Sequence, residues 1–439
     1  MRQLCSPAIK PGLERINALL DELGHPEREL CAIHVGGTNG KGSVCAMLDA
    51  ILLAAGLHSG RFISPHLHDY RERCLIDGQM LSEQQTARLL QQVINAMQAL
   101  TARGGPLPTE FEASTALSLL AFAEAKIERA VLEVGLGGRF DATNVVEAPL
   151  AIITNIGRDH MEYLGESISG IAAEKAGIIK RGAQVFTAAQ GEALAVIERE
   201  AAAQGAELCR LGQELHCRAI SHDESGQYVE IITPRGLYEN LRLSLLGAHQ
   251  CANAALAVAA AEAAGVDEAA IRRGLETAFN PARLEIISRQ PLIVLDGAHN
   301  APAMAVLARA LADYWPRKHC LALLGMLADK EREQALAYLA PYLDGAIISR
   351  PPLLSRSGDW AKTADFCAGL GLPVPAENII ADIPAACERA LALLPAYDML
   401  LVCGSLYLVA QAREYLTGVC VSQQKNLAGA SIPMKRAYT

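Results

Sequence analysis

The chain has 439 residues, of which 51% are apolar and 20% charged, and its formal net charge at pH 7 is −9. This length exceeds the roughly 250–300 residues at which a single hydrophobic core stops growing, so we expect two domains. The acidic balance argues against a surface for nucleic acid, and the lack of any uncharged apolar stretch of roughly 18 residues argues against a membrane span.

The opening segment and the cysteines indicate the compartment. The segment MRQLCSPAIKPGLERI has no basic flank followed by an apolar core, so it does not look like an export signal. The 12 Cys are scattered singly, and a chain of this size does not need disulfides for stability. We therefore expect reduced thiols and a cytoplasmic location.

The first part of the chain alternates short apolar runs with helical patterns rich in Ala and Leu. CAIHV (31–35) precedes one such helix, AVLEVG (130–135) follows another, and LAIITNIG (150–157) precedes a third. Alternation of this kind predicts βαβ units and a mostly parallel sheet. The stretch from 205 to 246 differs, because its alternating polar and apolar residues predict antiparallel strands appended to the first domain.

A second, shorter α/β series follows Pro281, with its own apolar runs. These runs are PLIVLDGAHN (291–300), CLALLGML (320–327), GAIISRP (345–351) and DMLLVCGSL (398–406). We therefore predict a first domain over 1–282, a second over 283–421 and a flexible polar tail over 422–439.

A glycine-rich loop connects the first strand to the first long helix pattern. It reads Gly36-Gly37-Thr38-Asn39-Gly40-Lys41-Gly42-Ser43. Backbone N–H groups, the positive end of a helix and the charge of Lys41 together suit a nucleotide triphosphate. The loop departs from the strict G-x-x-x-x-G-K-[ST] pattern, because Val35 replaces the first Gly and Gly42 replaces the hydroxyl residue. A purely structural turn is the alternative, and Lys41 argues against it.

Ten motifs carry a resemblance to a known family. In chain order they are HVGGTNGKGS (34–43), SPHLHDYRER (64–73), TEFEAST (109–115), EVGLGGRFDATN (133–144), TNIGRDHMEYLG (154–165), IAAEKAGI (171–178), HQCANAALA (249–257), PARLE (281–285), DGAHN (296–300) and CGSLYLV (403–409). The chain resembles the folylpolyglutamate synthases and dihydrofolate synthases, a branch of the Mur ligase superfamily. The resemblance implies an α/β protein whose N-terminal ATPase domain, with a mostly parallel sheet, binds ATP and pterin. A smaller Rossmann-like C-terminal domain completes the ligase.

The resemblance also implies the reaction. ATP would phosphorylate a folate carboxylate, and the amino group of L-glutamate would then displace phosphate. The partners implied are ATP, L-glutamate and dihydropteroate or reduced folates, with two Mg²⁺ ions and with the chain as a monomer. We expect dihydrofolate synthesis together with addition of further glutamates. Chain extension alone is the alternative, and a non-catalytic folate-binding relative, a phosphate-loop switch and a peptidoglycan precursor ligase are remote ones.

Catalytic and metal-binding roles follow from the same resemblance. Ser64, Glu133 and His160 match metal contacts, and Lys41, Lys175 and His160 match catalytic positions. Glu133 lies near the end of a predicted strand, at the sheet edge where open α/β folds bind ligands. Lys175 matches a lysine that family members carry as a carbamate, a modification that would turn a cation into an anionic oxygen ligand. An ordinary helical Glu-Lys pair is the alternative for Lys175.

Two further sets complete the implied site. The ATP contacts are Thr38, Asn39, Gly40, Lys41, Gly42, Ser43, Asn253, Arg283, Asp296 and His299, so both domains would contribute. The pterin contacts are Thr109, Phe111, Phe140, Asp141 and Ala142. Phenylalanine faces can stack on a pterin, and an Asp can pair with its amino-pyrimidine edge. Phe140 replaces the Leu commonest in the family, and Lys10 departs from an expected acidic residue. The alternative is that both phenylalanines belong to the core.

Overall fold

The computed structural model of the protein describes residues 5–6, 11–157, 164–165 and 167–428. The chain divides into two compact units. The first comprises the residues up to 221, together with 227–244 and 250–279. The second comprises the residues from 280 on, together with two short excursions at 222–226 and 245–249. The sequence did not predict these excursions, because they depend on contacts between segments far apart in the chain.

The first unit is built on an eight-stranded sheet in the order β4-β3-β2-β5-β1-β6-β7-β8. Its strands are β1 Ala32–Gly36, β2 Ser59–Phe62, β3 Cys74–Ile76, β4 Gln79–Met80, β5 Arg129–Glu133, β6 Leu150–Ile153, β7 Gln184–Thr187 and β8 Glu207–Arg210. The neighbouring strands β2, β5, β1, β6, β7 and β8 are all parallel. At one edge of the sheet, β3 pairs antiparallel with β2, and β4 pairs antiparallel with β3. Both β1 and β6 are buried along their whole length, as strands covered on two faces should be.

Helices pack around this sheet through two apolar clusters. The α-helices whose bounds the structure describes in this part of the chain are α1 Glu14–Leu23, α2 Lys41–Ala54, α3 Glu83–Ala102, α4 Glu110–Ala125, α5 Ile168–Ala176, α6 Gly191–Gln204, α7 His249–Ala263 and α8 Glu268–Thr277. One cluster joins α1, α3 and α4 to β2 and β5, and the other joins α5 and α6 to β6 and β7. Ser82 and Thr109 begin α3 and α4 with capping boxes, which satisfy N–H groups that helix starts leave unpaired.

A separate three-stranded sheet, in the order β11-β10-β9, follows the first. Its strands are β9 His216–Asp223, β10 Gly226–Thr233 and β11 Gly236–Leu243. β10 and β11 are antiparallel, as the alternating pattern predicted. The turn between β9 and β10 is one of the two excursions that belong to the second unit.

The second unit has a six-stranded sheet in the order β12-β13-β17-β14-β15-β16. The strands are β12 Glu285–Arg289, β13 Leu292–Leu295, β14 Cys320–Leu324, β15 Gly345–Ser349, β16 Ile379–Ile380 and β17 Met399–Cys403. The helices are α9 Ala301–Tyr314, α10 Arg332–Leu339, α11 Leu354–Ser357, α12 Thr363–Gly369, α13 Ile383–Leu393 and α14 Leu406–Ala428. Only β12 runs antiparallel to its neighbour in this sheet. The predicted α/β fold class is confirmed.

One predicted boundary needs correction. We predicted a flexible tail from 422 on, but α14 continues to Ala428. The segment VSQQKNLA is rich in good helix formers and contains no Gly or Pro, so nothing in it ends the helix before Gly429. Among the described helices, none is long and apolar enough to cross a bilayer.

Candidate active site

The glycine-rich loop lies between the end of β1 and the start of α2, as predicted. Gly37 and Gly40 have φ angles of 132° and 91°, which residues other than glycine rarely adopt. A Cβ at Gly37 would lie 1.9 Å from Thr154 Oγ1, and one at Gly40 would lie 2.6 Å from Asn253 Oδ1. Glycine is therefore required at both positions by conformation and by the close approach of a neighbouring side chain.

Residues 154–157, which follow β6, hold this loop in shape. The Thr38 N–H donates to Asn155 O at 2.7 Å, and the Asn39 N–H donates to Asn155 Oδ1 at 3.0 Å. The Thr154 hydroxyl donates to Asn39 O at 2.7 Å. We assigned no role to these residues from the sequence. The signal was available, because TNIG ends a predicted strand and belongs to one of the matched motifs.

Two lysines converge on one carbonyl of the loop. Lys41 Nζ donates to Gly37 O at 3.0 Å and to Thr38 O at 3.1 Å. Lys175, on α5 and only 5% exposed, donates from Nζ to Gly37 O at 2.9 Å. An ordinary helical Glu-Lys pair would leave the lysine in solvent, so the structure disfavours that alternative. Both amines therefore lie at the glycine-rich loop, and the charge of Lys41 makes this loop suited to an anion.

Two of the three predicted metal ligands are adjacent. Glu133 is the last residue of β5 and 6% exposed, and the Ser64 N–H donates to Glu133 Oε2 at 3.1 Å. In the register between β1 and β5, Glu133 lies opposite Val35, directly before the loop. A buried carboxylate beside a serine suits Mg²⁺, which prefers oxygen ligands. His160 and Lys10 lie outside the described residues. Among those described, no group of three or more His, Cys, Asp or Glu could hold a metal ion.

Asn253 approaches the loop from the second turn of α7. Its Nδ2 donates to Gln250 Oε1 at 2.9 Å, and Gln250 Nε2 donates to Ser43 Oγ at 3.3 Å. Asn253 and Gln250 are both buried, at 6% and 1% exposed. The predicted ATP contacts Ser43 and Asn253 are therefore connected through Gln250, a residue to which we had assigned no role.

The predicted ATP contacts of the second unit surround the end of β13. Asp296 follows this strand, and its carboxylate accepts the N–H groups of Leu284 at 2.9 Å and Ala298 at 2.8 Å. Burial raises the pKa of Asp296, while the nearby Arg283 and these two hydrogen bonds act in the opposite direction. His299 Nδ1 lies 2.8 Å from Gly297 O and donates to it. Contact of Arg283, Asp296 and His299 with ATP stays a prediction.

The predicted pterin residues form two groups that meet at Gly135. Thr109 caps α4, with its hydroxyl accepting the Glu112 N–H at 3.2 Å. The ring of Phe111 lies 5.9 Å from that of Phe62, and its Cζ is 2.4 Å from where a Cβ on Gly135 would lie. Phe140, in contrast, is 48% exposed. Only Phe111 therefore packs as a core residue would, whereas Phe140 offers an open aromatic face.

The carboxylate of Asp141 accepts hydrogen bonds from residues close to it in the sequence. It is 5% exposed, and burial raises its pKa. Its Oδ2 accepts the Leu136 N–H at 2.8 Å, and its Oδ1 accepts Thr143 N at 3.0 Å and Thr143 Oγ1 at 2.5 Å. Ala142, also 5% exposed, begins the short 3₁₀ turn that follows. Pairing of Asp141 with the pterin stays a prediction.

Comparison with known proteins gives the family. The Mur ligase middle domain matches residues 84–261, and the Mur ligase glutamate ligase domain matches residues 282–406. The dihydrofolate synthase/folylpolyglutamate synthase of Bacillus subtilis is 40% identical over 343 residues, which cover 75% of this chain and 79% of the relative. The chain belongs to the dihydrofolate synthase/folylpolyglutamate synthase family of Mur ligases. This membership confirms the predicted class of enzyme, an ATP-dependent ligase.

Solved structures of family members agree over nearly the whole chain. The folylpolyglutamate synthase of Mycobacterium tuberculosis complexed with ADP superposes with a TM-score of 0.87 at 33% identity, covering 94% of this chain and 95% of that one. The Escherichia coli FolC in complex with DHPP and ADP superposes with a TM-score of 0.85 at 33% identity, covering 96% of each chain. The match to a glutamate ligase domain also argues against a phosphate-loop switch.

Proposed function

We propose that this family member joins L-glutamate to 7,8-dihydropteroate at the expense of ATP, and that it adds further γ-linked glutamates to reduced folates. The observation that carries the proposal is the convergence of Lys41 and Lys175 on Gly37 O, beside the buried Glu133. Relatives named for both activities support it. Folylpolyglutamate synthesis alone is the second candidate, and two relatives carry only that name.

The chemistry requires an activated carboxylate, because a carboxylate does not react with an amine at neutral pH. The γ-phosphoryl group passes to the pteroate carboxylate and gives ADP and an acyl phosphate. The glutamate nitrogen then attacks the acyl carbon, the bond to phosphate breaks, and the amine loses a proton. Lys41 and the N–H groups at the start of α2 hold the phosphates, since phosphoryl transfer depends mainly on alignment and charge.

Glu133 and Ser64 would hold Mg²⁺, with His160 as the predicted third ligand. Bound there, Mg²⁺ supplies positive charge that offsets the phosphate oxygens. The N–H groups of Thr38 and Asn39 are engaged by Asn155, and these contacts fix the shape of the loop. The loop is thereby preorganised before ATP binds, and little alignment remains to be achieved during reaction.

Phe111 and Phe140 would flank the pterin ring. Phe140 exposes almost half of its surface at the segment on which Phe111 packs. Aromatic faces bind a flat heterocycle through stacking and through burial of apolar surface. The open aromatic face of Phe140 favours dihydropteroate or a reduced folate over a substrate without a ring system.

The direct test is phosphate release by the purified protein with MgATP, L-glutamate and 7,8-dihydropteroate, beside a parallel reaction with tetrahydrofolate. We expect turnover in both reactions and none when glutamate is omitted. Turnover with tetrahydrofolate alone would reduce the function to chain extension. If folded protein that binds ATP is inactive with both, the ligase proposal is wrong.

We further propose that Lys175 reacts with CO₂ to form a carbamate. Its amine, once deprotonated, would attack the CO₂ carbon and release a proton, which leaves an anionic oxygen ligand near the metal site. Mass spectrometry of protein kept under bicarbonate should find the mass of one CO₂ added to the peptide carrying Lys175. Lys175→Ala should lose most turnover and regain part of it when a short carboxylate such as acetate is added. An unmodified peptide in active enzyme would contradict this proposal.

A further inference from the structure

A buried chain of hydrogen bonds links the centre of the first sheet to the segment 135–141, which we call the aromatic loop. His34 on β1 is fully buried, with its Nε2 2.8 Å from Thr143 Oγ1. Thr143, also fully buried, has its Oγ1 2.5 Å from Asp141 Oδ1. None of the roles described above uses His34 or Thr143.

The donor and the acceptor of each hydrogen bond between His34, Thr143 and Asp141 can be assigned. Both oxygens of Asp141 accept backbone N–H groups, so the carboxylate acts as an acceptor. The single hydroxyl proton of Thr143 therefore goes to Asp141, and the hydroxyl oxygen must accept from His34. His34 is then the tautomer with its proton on Nε2. Burial lowers the pKa of His34 to about 3, with the charge of Lys180 as a smaller cause, and the ring stays neutral at physiological pH.

His34 Nδ1 is buried and has no hydrogen-bond partner among the described residues. A buried polar atom without a partner costs free energy. His34 is fully buried, so an apolar side chain at this position would avoid that cost. The hydrogen bond that His34 donates to Thr143 is the feature that an apolar residue could not reproduce.

Asp141 transmits this constraint to both aromatic residues. Its carboxylate accepts the N–H groups of Leu136 and Gly135, which fixes the start of the aromatic loop. The Phe111 ring packs on Gly135, and Phe140 directly precedes Asp141 in the chain. The positions of Phe111 and Phe140 therefore depend on one carboxylate, whose own orientation depends on Thr143 and His34.

We propose that His34 and Thr143 are positioning residues for the pterin-bearing substrate, acting through Asp141 on the aromatic loop. This inference rests on the proposed function, and in particular on contact of Phe111 and Phe140 with the pterin ring. In this proposal the Asp141 carboxylate holds the aromatic loop through hydrogen bonds. His34, buried on β1, thereby contributes to the recognition of the substrate.

The test compares variants that differ in one hydrogen bond. Thr143→Val keeps the shape of the side chain and removes the hydroxyl, whereas Thr143→Ser keeps the hydroxyl. His34→Leu removes the donor, and His34→Gln supplies an amide N–H in its place. We expect Thr143→Val and His34→Leu to raise the KM for dihydropteroate about tenfold, the effect of roughly one hydrogen bond. The KM for MgATP should stay within about twofold, and Thr143→Ser and His34→Gln should restore most of the affinity.

Thr233→Val is the matched control. It removes a hydroxyl that is 5% exposed and donates to a carboxylate oxygen, Glu262 Oε1, at 3.0 Å. The KM for dihydropteroate should be unchanged in this variant. An unchanged KM for dihydropteroate in folded Thr143→Val, or an equal rise in the KM for MgATP, would overturn the inference. Wild-type protein inactive with dihydropteroate would instead overturn the proposed function, and this inference with it.

A measurement on wild-type protein avoids any loss of folding in the variants. The nitrogen NMR spectrum of histidine-labelled protein, assigned with His34→Gln, reports the tautomer and the titration of His34. We expect the Nε2–H tautomer and no titration near neutral pH. A proton on Nδ1, or a titration near the ordinary histidine pKa of about 6.5, would contradict the hydrogen-bonded chain.

Discussion

At the scale of single residues, the hydrogen-bond partners of a side chain differ from what its sequence motif suggests. Lys41 and Lys175 both donate to Gly37 O, although one starts the helix after the loop and the other comes from α5. Asp141 was predicted to face the pterin, yet its oxygens bind N–H and O–H groups of its own segment. A motif identifies the position of a carboxylate or an amine. The hydrogen bonds in the folded protein show which groups that carboxylate or amine binds.

The neutral, buried His34 predicts a specific dependence of stability on pH. Its pKa is about 3 in the folded protein and about 6.5 in an unfolded chain, so below pH 6.5 the unfolded state takes up a proton that the folded state does not. This contribution to the free energy of unfolding is therefore complete above about pH 6.5 and is lost progressively as the pH falls toward 3. At about pH 4.5 the loss should be about 2–3 kcal/mol.

Urea unfolding of wild type and His34→Gln at about pH 7.5 and about pH 4.5 measures this effect. Because Gln does not titrate, the variant should lose about 2–3 kcal/mol less than wild type between the two values. Other acidic and basic groups contribute equally to both proteins and cancel in the comparison. Equal losses in the two proteins would mean that the pKa of His34 is the same in the folded and unfolded states, which would contradict a buried, neutral ring.

At the scale of elements, the site is assembled by the order of three strands. β5, β1 and β6 are neighbours in the sheet, so the segments that follow them meet at one edge. Those segments carry Glu133, the glycine-rich loop and residues 154–157. Alternation of strands and helices predicted the strands and their parallel direction, but not which strands are neighbours, because the order is decided by packing between distant segments.

Packing between α2 and α8 gives a prediction at this scale. A Cβ at Gly274 on α8 would lie 2.4 Å from Ile51 Cα on α2, so the helices touch at a glycine. Gly274→Ala should therefore lower the free energy of unfolding by about 1–3 kcal/mol, although alanine is the better helix former. Gly418 on α14 is exposed and has no atom within 4 Å of a Cβ, so the same change there should stabilise by up to about 1 kcal/mol.

Chemical denaturation of both glycine variants beside wild type separates packing from helix propensity. Opposite signs are expected because the substitution is identical and only the surroundings differ. A stabilising Gly274→Ala would mean that α2 and α8 are separated by more than the structure indicates.

At the scale of the molecule, the chain forms two units with their own sheets and their own apolar clusters. The first contains the glycine-rich loop, Glu133, Lys175 and the aromatic residues. The second contains Arg283, Asp296 and His299. Whether ATP contacts residues of both units, as the family resemblance implies, stays a prediction that binding measurements on Arg283→Ala can decide.

Nucleotide binding predicts a stability change in the whole protein. A ligand that binds only the folded state stabilises it, by about 2.7 kcal/mol at 100 times its Kd. MgATP should therefore raise the unfolding temperature in calorimetry, and Lys41→Ala should remove most of that rise. Lys318→Ala, which changes an exposed lysine of the second unit, serves as the control and should respond like wild type. A full MgATP response in Lys41→Ala would contradict the role of Lys41.

The sequence by itself determined the fold class, the family and the position of the glycine-rich loop between a strand and a helix. These follow from local signals: periodicity, glycine spacing and short motifs are properties of contiguous residues. Only the tertiary structure revealed the contacts of residues 154–157 with the loop, the position of Gln250 between Ser43 and Asn253, and the chain from His34 to Asp141. Each of these joins residues on different elements, so its hydrogen bonds exist only after the strands have been ordered and the helices packed.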